Sequence, residues 1–381
     1  LAHALFAALL LAGAPEAPDP VQTANHKLFD AGWGGLPRLK TRDSIERVNR
    51  GLRGRLVDFT HNNGADLRLY SQILCEKRDL YVYLPPCFDP RLRYPLILWI
   101  HGGFGDETCF ARSAAIACLD CMIAAGRCPP VVVAAPDATI TGENGYLSRH
   151  SFFINGVCGR YEDHLLQEVL PFVTETFPIL PERDARVVSG YSAGGLPAMA
   201  LAIKHRELFS TVISIAGPLN LRYWNCRDRY FDDFSPCTFQ WQTVYRPSQK
   251  ITRYCCGAIH LSAKFFVRPV FGDGPDVLAR VMENNPADLL TSRDLQPGEL
   301  DLFIAYAGRD NFNFDAHNES FLWLARRRGI EPTVLVSPDE RHTAAYCTWA
   351  QTRAYQWLAP RLPQPRPHDA ADARQPDEAN P

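Results

Sequence analysis

Six continuous apolar runs punctuate the chain: PLILWI at 95–100, VVVAAPD at 131–137, RVVS at 186–189, TVISIA at 211–216, LFIAYA at 302–307 and PTVLV at 332–336. Short runs without polar alternation are expected of strands buried on both faces beneath helices. Two earlier runs, at 56–60 and 79–84, are alternating or aromatic-rich and close on Asn-Gly or Pro signals. That is the pattern of antiparallel strands entering a sheet. Helical periods lie between the later runs. Leu165, Val169, Val173 and Phe177 recur at four-residue spacing within 162–177, with a kink expected at Pro171. Further helices are predicted over 314–328 and 343–358. This alternation predicts an α/β fold: a mostly parallel sheet with helices on both faces.

The alternation breaks in three places. Residues 21 to about 55 are polar and mixed, and 21–76, which takes in the first early strand, read as an N-terminal arm. Residues 220–285 carry Tyr223, Trp224, Tyr230, Phe231, Phe234, Phe239, Trp241 and Tyr245 together with four cysteines at 226, 237, 255 and 256. Because this stretch leaves the strand after the serine motif described below, it should emerge at the C-terminal edge of the sheet, where open α/β sheets bind ligands. It is read as a disulfide-tied, aromatic-lined cap; the alternative is a surface excursion that packs its aromatics internally. Residues 361–381, rich in Pro, Asp, Ala and Arg, read as a disordered tail. The main domain is accordingly placed at 77–360.

Residues 1–20 open on an apolar run over 1–14, shorter than the ~20 residues a membrane-spanning helix needs. The stretch has the length of a signal-peptide core and is read as a signal-peptide remnant, with no stable membrane insertion. Twelve cysteines, an even number, join that leader in suggesting an exported, disulfide-bearing protein, secreted or periplasmic. Cys118 and Cys121 have zinc-ligand spacing, but no second pair follows, so no metal is expected. A net charge of −2 without a long basic run argues against nucleic acid.

The chemistry centres on Gly190-Tyr191-Ser192-Ala193-Gly194, a G-x-S-x-G motif with a β-branched run before it and an alanine-rich helical stretch after it. Such a turn exposes a serine oxygen and leaves the next amide, on Ala193, at a helix N-terminus. A serine needs a base, and the base needs an acid to orient it. Asp310 follows the run at 302–307 and His342 follows the run at 332–336, each at a strand's C-terminal end. Asp315, Asp339 and Glu340 are competing acids. His317, within a predicted helix, and His368, in the tail, are worse placed than His342. The loop after Ile100, His101-Gly102-Gly103-Phe104-Gly105, offers a second oxyanion donor at Gly103, with Phe104 the alternative. The sites expected are Ser192, Asp310 and His342 for catalysis and Gly103 and Ala193 for the oxyanion.

The stretches 97–103, 159–163, 168–171 and 190–195, with Gly308-Arg309-Asp310 and His342 before Trp349, resemble the Putative esterase family of α/β hydrolases. That family includes esterase D (S-formylglutathione hydrolase), feruloyl and acetylxylan esterases, enterochelin esterases and mycobacterial mycolyltransferases. The resemblance runs from about residue 80 to 358. It implies an α/β-hydrolase fold and serine-ester chemistry without a cofactor, on a small-molecule or polysaccharide ester such as a feruloyl or acetyl ester. The cysteine- and aromatic-rich insert and the arm depart from the family pattern. An acyltransferase of the mycolyltransferase type and a non-catalytic binding protein on the same scaffold are the alternative readings.

Overall fold

The computed structural model describes residues 42–140, 149–253 and 260–367. Eight strands form the central sheet: β1 Arg55–Phe59, β2 Leu80–Leu84, β3 Leu96–Ile100, β4 Val132–Pro136, β5 Arg186–Tyr191, β6 Thr211–Ile215, β7 Asp301–Ala307 and β8 Thr333–Ser337. Their order across the sheet is β1-β2-β4-β3-β5-β6-β7-β8. β2 runs antiparallel to both β1 and β4, and every other pairing is parallel. Five of the six apolar runs became buried strands, as their lack of alternation required; the sixth became the edge strand β8, which is only partly covered and leaves Val336 exposed because no further strand pairs beyond it. In β3, Leu96, Leu98 and Ile100 enter one core layer while Ile97 and Trp99 enter the other.

Helix α1 Arg42–Arg50 precedes β1. The sheet therefore begins inside the stretch read as an arm. Two side chains tie this entry down. Asn49 exchanges hydrogen bonds with the Leu56 backbone, at 2.7 and 3.0 Å. The buried Asp120 carboxylate accepts from the amides of Arg53 and Gly54 and from Tyr83 Oη, at 2.7–2.9 Å. Asp120 belongs to α2 Ala114–Ala124. The disturbance expected at Pro171 takes the form of a π-helical turn, Leu165–Val169, between α-helical turns Tyr161–His164 and Leu170–Thr176. A wider turn just before a proline absorbs its missing N–H.

Helix α3 Gly195–Lys204 follows the serine and is buried along most of its length. Between β6 and β7 the chain leaves the sheet. It forms a hairpin of Tyr223–Asn225 with Phe239–Trp241, then helices α4 Ala263–Phe271, α5 Val277–Met282 and α6 Pro286–Ser292. Ala287, Leu289 and Leu290 of α6 rejoin the main core, so the excursion ends near Asn285. Helix α7 Phe314–Arg326 connects β7 to β8, and α8 Ala344–Leu358 follows β8 with Thr343 as its N-cap.

The disulfides expected from the cysteine count are not formed among the described residues. Ten cysteines are free thiols, those of the hairpin included; Cys255 and Cys256 lie outside the described residues, as do the leader and most of the tail. Among the described residues no helix is long and apolar enough to cross a membrane.

Candidate active site

Strand β5 ends at Tyr191, and a single 3₁₀ turn, Ser192–Gly194, leads into α3. Ser192 itself has φ +53°, a left-handed conformation that is uncommon outside glycine and here forces the side chain outward. The flanking glycines are a steric requirement. A Cβ on Gly190 would stand 2.1 Å from the Gly194 carbonyl oxygen, and one on Gly194 would stand 2.4 Å from the carbonyl oxygens of Ile100 and His101. No side chain fits either gap.

The three residues expected from the sequence meet at this turn. Ser192 Oγ lies 2.8 Å from His342 Nε2, and His342 Nδ1 lies 2.7 Å from Asp310 Oδ2. The other carboxylate oxygen, Oδ1, accepts from the Phe312 amide at 2.7 Å. A carboxylate accepting at Nδ1 places the imidazole proton there and leaves Nε2 free to accept from the serine hydroxyl. All three are buried, so little water competes for these bonds. Asp310 sits where β7 hands over to α7, and the loop is closed by Gly308 N–H donating to Ser337 O at 2.8 Å. The competing acids point elsewhere. Asp339 pairs with Arg309 at the surface, at 2.7 Å, and Asp315 lies in the first turn of α7.

Gly103 and Ala193 both line the cleft beside Ser192. A Cβ built on Gly103 would lie 3.4 Å from Ala193 Cβ, so the two backbones adjoin across the serine. Phe104, the alternative donor, has φ +63° and also lines the cleft.

The cleft has about 1190 Å³ of empty space, counted to its open mouth, and its walls are mainly apolar. The excursion between β6 and β7 supplies one wall through Tyr223, Trp224, Tyr230, Tyr245 and Phe266. Other aromatics of the same stretch pack together instead. Phe239 meets Phe234, Trp241 and Trp323 with ring centroids 5.5–5.9 Å apart. The insert thus lines the cleft with some of its aromatics and packs others into a small core of its own.

His317 was set aside on sequence, yet it lines the cleft from α7. Its Nε2 is 2.8 Å from Tyr230 Oη and its Nδ1 has no partner. Burial lowers its pKa to about 3, so the ring is neutral. Only a contact between β7–α7 and an insert about ninety residues upstream brings it there, and nothing local in the sequence signals that.

One group of possible metal ligands exists among the described residues. Asp79, Glu107 and Asp137 have ligand atoms within 4.8 Å of one another. Protein groups already occupy this cluster: His61 binds Asp79, Asn62 binds Glu107, and Arg78 and Thr139 bind Asp137.

A nearly all-parallel eight-stranded sheet whose second strand runs antiparallel, with the serine turn at the end of its fifth strand, is the α/β-hydrolase fold. Residues 71–258 match the family model described as Putative esterase. Among curated proteins it is similar to Esterase Rv1288 of Mycobacterium tuberculosis, 28% identical over 131 residues. Those residues are 34% of this chain, and the chain spans only 26% of the relative's length. Among solved structures, a ferulic acid esterase superposes with TM-score 0.60 at 17% identity, covering 82% of this chain and all of that one. The fluorophosphonate-binding serine hydrolase FphF of Staphylococcus aureus superposes with TM-score 0.56 at 17% identity, covering 80% and 98%.

Proposed function

We propose that the chain is a serine carboxylic-ester hydrolase acting through an acyl-serine intermediate. The observation that carries this reading is the continuous relay from Ser192 through His342 to Asp310 at the floor of an apolar cleft. His342 Nε2 takes the proton of Ser192 Oγ as that oxygen bonds to the ester carbonyl carbon. The resulting oxyanion is met by the amides of Gly103 and Ala193, each donor being worth about 10²–10³ in rate. His342 then gives its proton to the departing alkoxide as the ester C–O bond breaks. Water, deprotonated by the same imidazole, attacks the acyl-serine and releases the acid. Asp310 holds the ring in the required tautomer throughout.

The aromatic wall supplied by the insert favours an aromatic or otherwise bulky apolar acyl group. With the ferulic acid esterase likeness, this supports a feruloyl-type ester on a polysaccharide. Acid-quenched reactions with aryl acetate and aryl cinnamate esters test the reading. The expected result is a peptide containing Ser192 that is heavier by the acyl group and a steady release of free acid. Absence of both acylation and turnover would remove the enzyme reading. Acyl transfer to an added sugar in preference to water would instead make the protein a transferase.

A further inference from the structure

The loop that passes under Ser192 is held from behind by two buried imidazoles, and their partners determine where each proton sits. His101 Nε2 lies 2.9 Å from the Ala138 amide, which can only donate. Nε2 is therefore the acceptor, and the proton is on Nδ1, which donates to Gly102 O at 2.8 Å. Asp137 Oδ1, at 3.5 Å from His101 Nε2, is too far to compete and already accepts from the Thr139 amide at 2.8 Å. His150 has the opposite tautomer. Its Nδ1 accepts from the Phe152 amide at 2.8 Å, so Nε2 carries the proton and donates to His101 O at 3.0 Å. The two rings meet edge to face with centroids 4.9 Å apart.

Two consecutive carbonyls of the loop, those of His101 and Gly102, are thus each gripped by an imidazole N–H. The Gly102 carbonyl belongs to the same planar trans peptide as the Gly103 N–H, so the two point in opposite directions. Fixing one aims the other. We propose that His101 and His150 are positioning residues that aim the Gly103 amide at the oxyanion, acting through two locked and opposite tautomers. The proposal rests on the esterase reading above.

The segment that presents His150 is built for the purpose. Phe152 and Phe153 have φ of +54° and +43°. Two successive non-glycine residues in that region persist only where the surroundings over-determine them. Here Ser151 ties the segment back, its amide and its Oγ both donating to Ala138 O at 2.8 Å. Ala138 thereby anchors both imidazoles, by its N–H to His101 and by its carbonyl to the segment bearing His150. Burial holds the His150 pKa well below the usual histidine value, so the neutral tautomer persists.

The test begins with the wild-type protein. Long-range ¹H–¹⁵N spectra of the imidazoles should show His101 protonated at Nδ1 and His150 at Nε2. Either ring in the other tautomer, or averaging between the two, overturns the proposal, and this readout does not depend on any activity. Variants supply the second arm. His150→Phe keeps a ring but no donor, and His150→Gln keeps a donor of similar reach. With a small aryl ester, His150→Phe should lower kcat about 10- to 100-fold, a misaimed donor costing less than the removal of one, with KM within about threefold. A trifluoromethyl ketone, which forms an oxyanion adduct on the serine, should bind more weakly by a similar factor. His150→Gln should recover most of both. Full kcat in His150→Phe, or equal losses in kcat and KM for both variants, overturns the proposal. An inert wild-type protein with the stated tautomers would refute the esterase reading and, with it, the catalytic role of the grip.

Discussion

Ser192 Oγ and His342 Nε2 stand 2.8 Å apart although 150 residues separate them along the chain. β5 and β7 flank β6 in the sheet, and β8 adjoins β7. The loops leaving the C-terminal ends of β5, β7 and β8 therefore converge on one point. The parallel sheet makes the site, and each of its three side chains needs only the right loop.

Replacing Ser192 by Ala should abolish turnover while leaving the fold intact, because the hydroxyl is removed and no cavity forms. Asp310→Asn should lower kcat by about 10⁴-fold through loss of the correct His342 tautomer. Circular dichroism and ester hydrolysis measured together check both. Asp310→Asn retaining more than about a tenth of kcat would mean that another group orients His342.

Gly190→Ala should be far more damaging than an ordinary surface substitution. The new methyl meets backbone at 2.1 Å, which no rotamer can relieve. A loss of roughly 2–5 kcal/mol, the range of severe overpacking or strain, is expected in urea unfolding. A loss below about 1 kcal/mol would mean that the turn can open without disturbing α3.

The serine turn and its two partners were legible because each requirement is local: glycines at fixed offsets, and an acid and a histidine just after apolar runs. The parallel sheet was legible for the same reason. Three things were not. The arm was divided from the domain although β1 completes the sheet, since pairing between Arg55–Phe59 and Leu80–Leu84 is set by tertiary contact. His317 ranked below His342 and His150 carried no signal at all, because their partners, Tyr230 and the His101 carbonyl, lie 87 and 49 residues away. The ring packing of Tyr223, Phe234 and Phe239 inside the insert is long-range and carries no signal in the cysteine count.

Phe266 tests the cap. It reaches the cleft from α4 and meets Phe104 and Phe312 at ring centroids of 5.8 and 6.4 Å. Phe266→Ala should raise KM for a cinnamate-type ester about 10-fold, an aromatic contact being worth ~1 kcal/mol beyond its buried area. Acetate esters should be little affected. Equal effects on both esters, seen in paired kinetics, would remove the insert from substrate selection.

Asp315 and His317 give stability an opposed pH dependence. Burial, and then the charge of Asp310, raises the Asp315 carboxyl to about 7, from about 3.9 in the unfolded chain. The folded state thus binds the extra proton, and the stability this gives is full at low pH and is lost as pH rises to about 7. His317, lowered by burial to about 3, binds fewer protons folded than unfolded. Its contribution is full above about 6.5 and is lost as pH falls toward 3. Asp315→Asn removes only the first effect, so stability should rise more steeply between about pH 4.5 and about pH 6.5 than in the wild type. Urea midpoints across that range measure it, and an unchanged slope would contradict the assignment.

The most direct test of the central claim is labelling by a fluorophosphonate, which reacts with a serine only when a neighbouring base and an oxyanion site activate it. Folded wild-type protein should be modified at a single site, mapped by peptide mass spectrometry to Ser192, and His342→Ala should suppress the labelling strongly. Failure of folded wild-type protein to label at Ser192, or equal labelling of the His342 variant, would contradict the account.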